Sequence, residues 1–85
     1  MRVKKGVLIQ KLGNTFVAYD NDASVMHELN EVGYIILSEI EKGKGKKEIF
    51  KKIMKDFAIN EKDAKKDLDE FIQGLKKADL IVEKK

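Results

Sequence analysis

From Leu29 to Val82 the chain carries one continuous run of helical periodicity, broken at Glu41-Lys42-Gly43 and capped afresh at Asn60. Val32, Ile36, Leu37 and Ile40, with Ile35 beside them, repeat at the spacing of one helix face. Ile49, Phe50, Ile53, Met54 and Phe57 form a second such stripe, and Ala64, Leu68, Phe71, Ile72 and Leu75 a third. Three apolar stripes joined by short connections must face one another or a common partner surface. That requirement excludes most other arrangements of so short a chain. Asn30 and Asn60 are good N-caps, and Asp63, three residues after Asn60, suits a capping box. Gly43 stands where a C′ glycine ends a helix. The predicted helices span about 31–42, 46–57 and 61–77, with Leu80-Ile81-Val82 returning as an extended segment.

The residues before Leu29 follow a period of two. Val7 to Leu12 has strand character, Gly13-Asn14 supplies a turn, and Thr15 to Tyr19 is rich in β-branched and aromatic residues. Asp20-Asn21-Asp22 is a second turn cluster. Ala23 to Leu29 reads as a third strand, with Val25, His27 and Leu29 on one face and Ser24, Met26 and Glu28 on the other. Strands at about 7–12, 15–19 and 23–29 make an antiparallel meander too small to be stable alone. The predicted fold class is therefore α+β and winged-helix-like: a three-stranded antiparallel meander followed by three helices, in one domain covering residues 1–85.

Composition narrows the chemistry. With no cysteine the chain has neither a disulfide nor a thiolate metal site. It also lacks the roughly 20 consecutive apolar residues of a membrane span and any signal-peptide core, so a cytoplasmic location is expected. His27 is the single histidine and has no cysteine or second histidine as a partner, which argues against a metal and against nucleophilic catalysis. Asp67, Asp69 and Glu70 lie beside the apolar stripe and read as a solvated face, and Gly43-Lys44-Gly45-Lys46 lacks the spacing of a phosphate loop. No catalytic residue, no metal and no cofactor is expected.

A formal charge of +3 comes from 18 basic and 15 acidic residues, and Arg2 is the sole arginine. Planar, bidentate recognition of phosphate and base edges rests mainly on arginine, so lysine abundance alone is weak evidence for nucleic acid. A winged-helix DNA-binding transcriptional regulator is nonetheless the alternative reading, because such folds insert their third helix into the major groove. Here that helix carries Glu61, Asp63, Asp67, Asp69 and Glu70 against Lys62, Lys65, Lys66, Lys76 and Lys77, and its first half is net acidic, which opposes phosphate binding. The positive patch is instead Lys44 to Lys55, in and before the second helix.

The order of parts resembles the PqqD family, named for pyrroloquinoline quinone biosynthesis protein D. The matching features begin with Leu29-Asn30-Glu31 opening a helix, Val32-Gly33-Tyr34-Ile35-Ile36-Leu37 and the break at Glu41-Lys42-Gly43. They continue through Lys47-Glu48-Ile49, Phe57, Asp67-Leu68-Asp69-Glu70-Phe71-Ile72 and Leu75-Lys76-Lys77-Ala78-Asp79-Leu80-Ile81. The resemblance implies a protein without catalytic activity, a recognition element for ribosomally made, post-translationally modified peptides (RiPPs). Such a protein captures the leader of a precursor peptide and presents it to a modifying enzyme, often a radical S-adenosylmethionine (SAM) enzyme.

The implied mode is strand addition on the third strand beside the third helix. An exposed edge strand offers unpaired N–H and C=O groups to another chain, which is the physical case for the same mode. The expected peptide-binding residues are Ser24, Val25, Met26, His27 and Glu28 on the strand, with Leu68 and Ile72 flooring a groove and Lys65, Asp69 and Lys76 on its rim.

Overall fold

The structure is a computed structural model that describes residues 1–83. Strands β1 (Arg2–Val3), β2 (Val7–Leu12), β3 (Thr15–Asp20) and β4 (Val25–Leu29) precede helices α1 (Glu31–Glu41), α2 (Lys46–Phe57) and α3 (Glu61–Lys77), and β5 (Ile81–Val82) closes the chain. The order β2-β3-β4 is an antiparallel meander, in register from Val7 opposite Asp20 to Phe16 opposite Leu29. Three antiparallel strands followed by three helices are the α+β class that the hydrophobic pattern predicts.

The alternation along β2 sets the inner face: Val7 and Ile9 are half-buried, while Leu8 and Gln10 are exposed. Ala18 at the centre of β3 is fully buried and joins a core built from Ile36, Leu37 and Ile40 of α1, Ile49 and Ile53 of α2, and Leu68, Ile72 and Leu75 of α3. Helix α1 lies across all three strands of the meander, and α2 and α3 pack on α1 and on each other. Each stripe of the helical pattern thus finds a facing stripe, and burial of apolar area at roughly 25 cal/mol per Å² holds the layers together.

The caps fall where the asparagines are. Asn30 Oδ1 accepts from the Gly33 amide at 2.8 Å, and Asn60 Oδ1 accepts from the Asp63 amide at 2.9 Å. The return bond of the second cap differs from a capping box. It runs from the Asn60 side-chain amide to Asp63 Oδ2, at 3.0 Å, and does not engage the Asn60 backbone N–H. Gly43, with φ +85°, adopts the left-handed conformation of a C′ glycine.

Two features depart from the sequence-based expectation. The extended segment at the C-terminal end pairs with the N-terminal one, Arg2 opposite Val82 and Val3 opposite Ile81. The extended segment after α3 is the one expected, whereas its partner, a strand of two residues, carries too little periodicity to be read from the sequence. The strand expected from Ala23 begins instead at Val25, because Asp20 organises the turn before it. Asp20 is buried, accepts from the amides of Asp22 and Ala23 at 3.0 and 3.2 Å, and pairs with Lys4 Nζ at 3.0 Å. Ser24 leaves that turn with φ +54°, outside the β-region, and so belongs to no strand.

The Lys4 ammonium first, and then the Ala23 and Asp22 amides, hold the Asp20 carboxyl below its ordinary value. A carboxyl whose native pKa lies below its unfolded one adds stability above the unfolded value, and that stability is lost as the pH falls through the native value. Asp20→Asn is therefore expected to melt below the parent at neutral pH, with the gap shrinking below about pH 4, the ordinary range of an aspartate. Melting curves of both proteins across that range check it. A gap independent of pH would mean that the carboxylate charge is not what stabilises the turn.

Candidate functional site

Strand β4 pairs with β3 alone among the described residues, so its other edge carries backbone donors and acceptors that no strand satisfies. The chain then turns at Asn30 into α1, and α3 comes back past the start of α1. Between β4 and α3 lies a groove of about 410 Å³. His27, Glu28 and Leu29 form its strand side, Asn30 and Gly33 one end, and Glu70, Phe71, Gly74 and Leu75 its helix side, with Ala78 and Leu80 beyond.

Small residues make the space. Gly33 lies under the Phe71 ring: a Cβ there would be 3.5 Å from the ring and 3.2 Å from Asn30 Oδ1. A Cβ on Gly74 would meet nothing within 4 Å, so the groove is open over that turn of α3. Phe71, Leu75, Leu80 and Leu29 give the surface its apolar character, and Leu75 and Leu80 are themselves buried. Glu28 and Glu70 carry carboxylates at the margin, and neither makes an ion pair among the described residues. The site is thus a strand edge beside an apolar trough with an acidic margin.

Of the residues expected to bind peptide, Val25, Met26, His27 and Glu28 lie on the open-edged strand, and Ser24 lies in the turn before it. Met26 is the most exposed large apolar residue of the chain, at 64%. The helix residues fall elsewhere. Leu68 and Ile72 are core residues of α3, and neither is among those that line the groove between β4 and α3. Lys65, Leu68 and Asp69 border a separate hollow against α2, where Asp69 pairs with Lys46 at 2.7 Å. Ile72 and Lys76 flank the loop before α2, and Lys76 pairs with Glu83.

At about 100° per residue, positions 65, 69 and 76 lie on one flank of α3, and 67, 70, 74 and 78 lie on the opposite one. The periodicity identifies the buried stripe but not which flank faces β4. The residues of α3 and its end that line the groove beside β4 are Glu70, Phe71, Gly74, Leu75 and Ala78. One signal was present. A glycine inside a helix is about 1 kcal/mol less favourable than alanine, so Gly74 within the third helical pattern stands out as a place where a side chain is left off.

Among the described residues, no group of three or more His, Cys, Asp or Glu side chains could hold a metal ion, and no helix is long and apolar enough to cross a membrane.

A protein-family model described as coenzyme PQQ synthesis protein D (PqqD) matches residues 15–81. Two solved structures share the fold. TbiB1 in complex with the TbiA(beta) leader peptide is 22% identical with a TM-score of 0.88, over 100% of this chain and 99% of that one. A lasso peptide synthetase B1 complexed with the leader peptide is 15% identical with a TM-score of 0.84, over 96% of each chain. No curated protein matches the sequence.

Proposed function

The chain belongs to the PqqD family, and from that premise we propose that it is a non-catalytic leader-binding protein of RiPP biosynthesis. It captures an extended segment of a precursor peptide on β4 and holds it for a modifying enzyme, in the simplest case a radical SAM enzyme acting on the far end of the peptide.

The observation that carries this reading is the unpaired edge of β4 lying beside an apolar groove. Backbone groups of Val25 to Glu28 supply a ladder, which fixes register and direction with little regard to side chains. The trough of Phe71, Leu75 and Leu80 accepts one or two apolar anchors, and these give most of the affinity. Glu28 and Glu70 favour a basic residue next to the anchor, although an exposed ion pair is worth only about 0–1 kcal/mol. The solved relatives are complexes with leader peptides, which supports the same use of this fold here. The DNA-binding alternative is disfavoured by α3, whose exposed Glu61, Asp63 and Glu70 would face phosphates.

Titration with the synthetic leader of a candidate precursor peptide tests the proposal. Amide shifts are expected at residues 25–29 and 70–78. N-methylation of the peptide at alternate positions should cut affinity about tenfold each where a ladder donor is removed, from the lost bond and its clash. The intervening positions should change little. Shifts confined to α2, or an equal response to N-methylation everywhere, would rule out strand addition at β4.

A further inference from the structure

Helix α2 takes no part in the groove, yet it holds the charge of the protein. Its five lysines against Glu48 and Asp56 give +3, equal to the net charge of the whole chain. Lys46 pairs with Asp69, and Lys52 with Asp56 and Glu39. Lys47, Lys51 and Lys55 make no ion pair among the described residues; all three are exposed and, at i, i+4 and i+8, form one stripe. Half-buried Phe50 and Met54 run alongside it.

Between this stripe and α3 lies a second hollow, of about 430 Å³, with Phe50 and Leu68 at its base. Lys47 and Lys65 stand on its rim, together with Glu61 and the paired Lys46 and Asp69. An apolar base under an excess of unpaired cations is complementary to an apolar side chain flanked by carboxylates.

We propose that this surface docks an acidic amphipathic segment of a partner protein. One apolar side chain enters the hollow against Phe50 and Leu68, and neighbouring carboxylates pair with Lys47, Lys51 and Lys65. A phosphate backbone fits less well, because it has nothing to place on the apolar base and would meet Glu61 at the rim. The hollow and the β4 groove lie on opposite flanks of α3, so both can be filled at once. A protein that carries a peptide on one flank could thereby be held by an acidic partner on the other. The docking chemistry itself does not depend on the leader-binding reading.

The probe is a synthetic helical peptide of about 12 residues with one Phe flanked by Glu, long enough for roughly three turns. It is added to isotope-labelled full-length protein beside its Phe→Ser and Glu→Lys versions. Saturable amide shifts are expected at residues 46–55 and 61–69. Affinity should fall at least about fivefold for the Phe→Ser peptide and for the Lys47→Glu, Lys51→Glu double variant, and vanish for the Glu→Lys peptide. Lys47 and Lys51 are exposed and unpaired, so their replacement leaves the fold intact, and Gly74→Leu, on the other flank, should leave this binding unchanged. Absence of saturation, shifts in the β4 groove, or equal binding of the Glu→Lys peptide would overturn the proposal. So would tighter binding, through the same lysines, of duplex DNA or of phosphatidylglycerol vesicles.

Discussion

Replacing Gly74 with leucine is expected to weaken leader binding at least about tenfold while leaving the protein folded and no less stable. Gly74 is exposed and helical, and a Cβ built on it meets nothing within 4 Å. Removing a glycine from a helix interior gains up to about 1 kcal/mol of helix propensity. In a helix a leucine side chain leans back over the preceding turn, here toward Phe71 and the trough that it lines with Leu75. It would occupy the space that an incoming apolar anchor requires. Loss of one such anchor is worth about 1.5–3 kcal/mol, a weakening of roughly 10- to 100-fold, before any clash with the added strand. Calorimetric titration and a melting curve on the same sample separate the two quantities. If Gly74→Leu bound a leader as tightly as the parent, the peptide would have to lie elsewhere.

How far the sequence reaches depends on the kind of interaction. The three helices were legible because each bears a stripe at 3.6-residue spacing, and because Asn30, Asn60 and Gly43 mark their ends with side-chain chemistry that acts locally. The meander was legible from its alternation, apart from the start of β4. There, Asp20 closes the turn through contacts that include Lys4, 16 residues away. That pairing, and the β1–β5 ribbon beside it, are long-range facts that no local pattern carries. The strand side of the site followed from the fold alone, since β4 has to be an outer strand of a three-stranded meander. The helix side did not. Lys65, Asp69 and Lys76 share a flank beside the buried stripe that holds Leu68 and Ile72, but only the packing angle of α3 decides whether that flank meets β4 or α2.

The same rotation of α3 predicts opposite outcomes for two neighbouring truncations. Leu68 is 2% exposed and lies in the shared core, so Leu68→Ala removes buried apolar contacts and leaves a cavity there. The expected cost is about 2–5 kcal/mol, a large share of the roughly 5–15 kcal/mol that holds a domain of this kind together. Its melting temperature should drop by at least about 10 °C.

Phe71 lies in the same apolar stripe of the third helix as Leu68. It is half-buried, packed over Gly33 with part of its ring toward the groove. Phe71→Ala should therefore cost about 1–2 kcal/mol of stability, less than the ~3–5 of a fully buried ring. It should also weaken leader binding about 30-fold, the scale of an interface hot spot. Melting curves and peptide titrations of the two variants are the measurement. The reversed result, with Phe71→Ala the more unstable and Leu68→Ala folded but deficient in binding, would put the peptide on the α2 flank of α3. An ordinary result for Leu68 with full binding by Phe71→Ala would leave the fold as described and remove the trough from the binding site. The ring can serve both packing and recognition because Gly33 lets it lie close against α1 while its outer edge stays accessible beside β4.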